Sequence, residues 1–161
     1  ESYVNVLKEC GMFRAAVSVC EEMLRLCQND NLGMRYTLMH LYAYLEDEQG
    51  AKELQKKYPD ENISQMLLPL SILYYKLGDL KTSLKYLKKL NTVNKDTFRF
   101  FESAINDNSD DLISHMNPFG YRPNTIEELV IEAQENTFLI LSSPAFFEWA
   151  YRKLKTSKKS N

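Results

Sequence analysis

The stretch "YYKLGDLKTSLKYLKKL", residues 74–90, constrains the fold of this chain more than any other. Gly78 and Asp79 interrupt a helical pattern, and Leu80, Ser83, Leu84, Leu87 and Leu90 then recur at three- and four-residue steps, the spacing of one helical face. Lys81, Lys85, Lys88 and Lys89 fall mostly off that stripe, as on a solvated face. The same grammar occurs twice upstream. In "ECGMFRAAVSVCEEML" the break is Gly11, a bulky Phe13 follows, and the stripe runs through Ala16, Cys20, Met23 and Cys27. In "LEDEQGAKELQKKYPD" the break falls around Glu46 to Gln49, and the stripe is Ala51, Leu54 and Tyr58, closed by Pro59. This middle copy lacks a turn glycine and carries Gly50 inside its second helix.

The small residues that let helices approach closely, Ala16, Ala51 and Ser83, are 35 and 32 positions apart. A period near ~34 built from paired helices is the tetratricopeptide signature. A first helix precedes each break: "YVNVLKEC", "LGMRYTLMHLYAYL" and "ISQMLLPLSILYYKLG", with Leu38, Met39 and Tyr42, or Leu67, Leu70 and Tyr74, on one face. Pro69 lies inside the third of these, where it removes a backbone bond and predicts a kink. One hairpin cannot bury both faces of its helices, so such units must stack. The competing reading is an ordinary all-α bundle with accidental spacing.

After residue 91 the pattern decays. "NKDTFRFFESAIN" supplies a further first helix with Phe98, Phe101 and Ile105 on one face, and "DNSDDLISHMNPFGYRPN" supplies no matching second one. "NTIEELVIEAQENTFLILSS" opens with Asn124 or Thr125 in capping position and Glu128 placed for a capping box. Ser143 before Pro144 starts another helix, which presents Phe146, Trp149, Ala150 and Leu154 on one side. The two helices are expected to fold back over the last repeat.

Composition agrees with helices joined by short turns: only 5 Gly and 5 Pro occur in 161 residues, and no Asn-Gly or Asp-Gly turn separates two alternating runs. With 44% hydrophobic and 26% charged residues the chain suits one soluble domain. A net charge of -2 gives no overall pull toward nucleic acid or anionic lipid. Cys10, Cys20 and Cys27 are an odd number without CxxC spacing, which fits a reducing, cytoplasmic setting. No apolar run reaches the ~18 residues of a membrane span, and "ESYVNVLKEC" is not a signal peptide. The missing initiator Met and a start inside a helix predict a fragment of a longer protein.

On these blocks the chain resembles the tetratricopeptide-repeat family over residues 1–105. The order "NDNLGMRY", "AKELQKKYPD", "LGDLKTSLKYLKKL" and "EELVIEAQENTFLILSSPAFFEWA" further resembles a poorly characterised bacterial and plant subgroup. The resemblance implies an all-α fold: a TPR-like right-handed helical solenoid of about three helix-turn-helix repeats (1–29, 30–61, 62–94) and a further helix at 95–105. An irregular loop (106–123), C-terminal capping helices (124–156) and a frayed tail (157–161) complete it. It implies an adaptor that binds proteins or peptides in the concave groove of its first helices, without catalysis. Some relatives carry a cysteine-rich metal module, which nothing here matches. The cationic clamp of tetratricopeptide co-chaperones is also unmatched. Asn5 fits one of its positions, but Thr37, Gln65 and Pro69 stand where an Asn, a Lys and an Arg are required.

The search for chemistry returns little. Cys20 and Cys27, seven apart, belong to an apolar stripe rather than a metal site, so neither metal nor cofactor is expected. His40 and His115 have no adjacent Cys or HxxxH partner, and His115 reads as a loop cap. No GxSxG, P-loop or GxGxxG occurs, and the pairs Glu21–Glu22, Asp110–Asp111 and Glu127–Glu128 suit solvated faces and helix starts. The groove is more informative. Tyr36, His40 and Tyr44 repeat every four residues on one first helix, and Leu68, Ile72 and Tyr75 form the corresponding line on the next. Facing each other, they make an aromatic and apolar surface suited to gripping a peptide or helix. Alternatively, the capping helices fill that surface from within the chain. The expected function is a non-enzymatic protein- or peptide-binding adaptor, with no nucleic acid or membrane partner. The alternative is a peptide-sensing regulatory domain of a larger bacterial regulator. RNA binding needs a basic groove, whereas the four lysines of 81–89 sit on a second helix.

Overall fold

The computed structural model describes residues 3–59, 62–106 and 122–158, which contain ten helices and no strand. The all-α expectation therefore holds for the described residues. The chain forms two compact units, Glu1–Pro59 and Asp60–Asn161, where composition suggested one domain. The division falls two residues before the end of the expected second repeat, 30–61.

In the first unit, α1 (Tyr3–Glu9), α2 (Phe13–Leu26), α3 (Met34–Leu45) and α4 (Glu48–Lys57) pack each on the next in chain order. The breaks are built alike. Gly11 closes α1 with φ 70°, and Glu46 closes α3 with φ 59°, the left-handed conformation that ends helices. In the second unit Gly78 repeats it at φ 80°. Five residues after each break, Ala16, Ala51 and Ser83 are 0% exposed. So Glu46 stands where the other two copies use glycine. A side chain with a Cβ pays for that conformation and glycine does not. Glu46→Gly should therefore raise stability by about 0.5–1 kcal/mol in urea denaturation, and an unchanged or lower midpoint would show that the strain is absent.

The glycine in α4 has another cause. A Cβ at Gly50 would lie 2.7 Å from the Tyr42 ring, so that ring can cross α4 only over a glycine. The Asp47 side chain caps the helix by accepting from the Gly50 amide at 2.9 Å, and the Tyr42 hydroxyl donates to Glu21 on α2 at 2.7 Å. Burial, together with the Glu21 bond, pushes the Tyr42 phenol upward.

The second unit contains α5 (Ser64–Lys76), α6 (Leu80–Val93), α7 (Thr97–Ile105), α8 (Ile126–Glu135), α9 (Thr137–Leu141) and α10 (Pro144–Lys158). The α5 helix runs through Pro69 without ending. α5 and α6 form the third hairpin, tied by the buried Ser83 hydroxyl, which donates to the Ser71 carbonyl at 2.7 Å. Ser83 is thus more than a small residue; it also satisfies backbone where the helices meet. Asp79 caps α6 by accepting from the Thr82 amide, and the Thr82 hydroxyl together with that amide holds its carboxyl below the usual range. The α10 helix packs on α7 and α6, and α8 packs on α7 and α5.

Several details depart from expectation. Cys27, placed on the α2 stripe, is the exposed residue at the end of that helix, and Leu24 takes the buried position. The helix stops at Leu26, so the seven-residue step from Cys20 runs off its end. Leu80, the first residue of α6, is 47% exposed, because the first turn overhangs the face that Ser83, Leu87 and Leu90 bury. The single helix expected after Thr125 is two, α8 and α9. They divide at Asn136, whose side chain donates to the Glu132 carbonyl at 3.0 Å and competes with the backbone ladder. The Glu128 capping-box bond forms, but to the Asn124 amide (3.0 Å), one residue before the cap at Thr125. The loop around His115 and Asp110–Asp111 lies outside the described residues.

Candidate partner-binding surface

The six groove candidates divide between the units: Tyr36, His40 and Tyr44 lie on α3 in the first, and Leu68, Ile72 and Tyr75 on α5 in the second. None of them is an exposed side chain.

On α3, His40 is 1% exposed, and its Nδ1 donates to the Tyr36 carbonyl, fixing the tautomer. The Tyr44 ring packs on Phe13 of α2, centroids 4.3 Å apart. Tyr36 keeps a half-buried ring, and the Arg35 guanidinium lies over it at 4.2 Å. The same guanidinium lies 5.3 Å from the Tyr58 ring at the end of α4, so one cation serves two aromatic faces. It is held there by Asp30, whose side chain is 1% exposed. One Asp30 oxygen accepts from the Met34 amide at 2.7 Å, and the other from the Arg35 amide (2.9 Å) and guanidinium (2.8 Å). Asp30 caps α3 from outside the helix, satisfying amides that would otherwise lack acceptors. In the sequence the only sign of this cluster is an Asp shortly before "LGMRY".

On α5, Leu68 and Ile72 are both 0% exposed, so the expectation that they line an open surface is corrected: their side chains are core. α5 is apolar nearly all round, and a helix of that kind is enclosed rather than displayed. The Tyr75 ring packs on two residues of α10, Phe146 at 5.5 Å and Trp149 at 5.2 Å. For this residue, filling from within the chain is what the structure contains. Phe146 in turn touches Phe101 and Phe147, making an aromatic cluster between α5, α7 and α10.

A second unforeseen centre is Asn94 at the end of α6, fully buried. Its side chain donates to the Thr125 carbonyl (2.8 Å) and Ser64 hydroxyl (3.3 Å) and accepts from the Asp96 amide. Asp96 accepts from the Ile126 amide at 3.1 Å, so the start of α8 is capped by a residue 30 positions away. No local pattern marks Asn94 as a tie between elements, because two of its partners, Ser64 and Thr125, lie about 30 positions away.

Among the described residues, no group of three or more His, Cys, Asp and Glu side chains could hold a metal ion. Burial raises the Cys20 thiol to about 11, which keeps it protonated and a poor nucleophile. No described helix is long and apolar enough to cross a membrane. No protein-family model, curated protein or solved structure matches the chain.

Proposed function

We propose that the chain is a non-enzymatic protein- or peptide-binding module of tetratricopeptide type, with the α3 side around Tyr36 as its contact point. The observation that carries the repeat reading is the recurrence, at the same 35- and 32-residue spacing, of a left-handed break (Gly11, Glu46, Gly78) and a fully buried small residue five positions later. Helix pairs that repeat in this way share a stacking geometry, and stacked pairs display extended binding faces. The Tyr75 end of the α5 line is taken by Phe146 and Trp149, while Tyr36 retains part of its ring surface beside a cation. An aromatic ring with an adjoining guanidinium is a composition found at energetic centres of interfaces.

The test is site-specific crosslinking. A photoreactive benzoyl-phenylalanine at position 36 preserves an aromatic ring, and the same group at exposed Lys52 on α4 is the control. A partner recovered from position 36 and not from position 52 supports the reading. Equal recovery, or none from position 36, rejects the contact point.

A further inference from the structure

The outer face of α6 has a charge pattern unlike the other exposed helices. On each of α2, α4 and α10, one exposed cation pairs within its own helix: Arg25 with Glu22, Lys52 with Glu48, and Arg152 with Glu148. α6 has no such option, because residues 80–95 contain Lys81, Lys85, Lys88, Lys89 and Lys95 but no Asp or Glu. Lys81 and Lys85, and Lys85 and Lys89, stand at i,i+4, where like charges oppose helix formation. The first four lysines are exposed, and all four line a shallow depression of about 690 Å³ with half-buried Leu84 and Val93. The surface therefore combines four exposed cations with two half-buried apolar side chains and the polar Asn62 and Thr92, and the methylene stems of the lysines add to its apolar area.

We propose that this depression is a second binding site, separate from the Tyr36 surface, for an acidic amphipathic protein segment. Carboxylates at helical spacing meet Lys81, Lys85, Lys88 and Lys89, which span about 12 Å of helix axis, and an apolar side chain seats on Leu84 and Val93. The chemistry favours protein over nucleic acid. The lining has no aromatic ring to stack a base and no arginine to grip phosphate in two-pronged fashion, and it includes the apolar Leu84 and Val93. A membrane surface is disfavoured because Leu84 and Val93 are half-buried while the lysines are exposed, so no large apolar side chain of the lining projects for insertion.

The experiment is fluorescence anisotropy on the full chain with a labelled 14-residue peptide that carries Glu at i, i+4 and i+7 and two Leu on the same face. A scrambled peptide of equal composition, a 20-nucleotide single-stranded RNA and phosphatidylserine vesicles are run beside it. Micromolar binding of the patterned peptide is expected, tighter than to the other three and weakened as salt rises. The Lys85→Glu/Lys89→Glu variant should lose about tenfold or more in affinity, Leu84→Ser about threefold, and Lys85→Arg/Lys89→Arg should stay within about threefold. Tighter binding to RNA or vesicles, equal binding of the scrambled peptide, no peptide binding, or an unaffected charge-reversal variant would each overturn the proposal.

Discussion

Phe146→Ala should lower stability by about 3–5 kcal/mol, the cost of emptying a fully enclosed aromatic site. The ring has no exposed surface and touches four others, on Tyr75, Phe101, Phe147 and Trp149. Removing it takes away hydrophobic transfer and ring-edge contacts together, in a core made of large rings that cannot collapse into the gap. For a chain of this length the thermal midpoint should fall on the order of 10–20 °C. Phe146→Leu keeps most of the volume and should cost about half as much. Circular dichroism gives the midpoint, and Trp149 fluorescence reports the aromatic cluster itself. A loss below about 1 kcal/mol in Phe146→Ala would mean that α10 is not part of the folded core.

Asp30→Ala is the second large effect. It removes three bonds in one step and leaves the Arg35 guanidinium, whose side chain is 17% exposed, without its carboxylate. Breaking a buried pair from one side costs about 3–5 kcal/mol, most of it the penalty of the stranded charge. Asp30→Asn should be milder, because asparagine tolerates the φ of 45° at this position and retains one acceptor. The double variant Asp30→Ala/Arg35→Ala should be less destabilised than the sum of the single changes, since the charge is gone too. Additive losses in urea denaturation would show that the carboxylate and guanidinium do not act as a unit.

How much was legible follows from the reach of each signal. The breaks at Gly11 and Gly78 and the buried Ala16, Ala51 and Ser83 depend on a few adjacent residues, and sequence shows those directly. Leu38, Met39, Leu67 and Leu70 were legible as core for the same reason, since helical periodicity marks an apolar face. The candidate site was less legible. Periodicity identified Leu68 and Ile72 as an apolar line but could not say that the line was enclosed. Tyr75 looked available until α10 was seen to supply Phe146 and Trp149, more than 70 positions along the chain. The lysines of α6 were visible as a run, and their depression was not, because the run does not show that Asn62, about 20 positions upstream, lies against the same face.

By itself the sequence determined that the described residues are helical and that helices break at Gly11, Glu46 and Gly78, because helix starts, stops and apolar faces are set by residues within one or two turns of each other. Only the tertiary structure decided which faces are closed, that Asn94 and Asp96 anchor the start of α8, and that the chain divides after Pro59. Those outcomes depend on which apolar surface meets which. Many surfaces in a helical chain are chemically alike, so local pattern cannot choose among them.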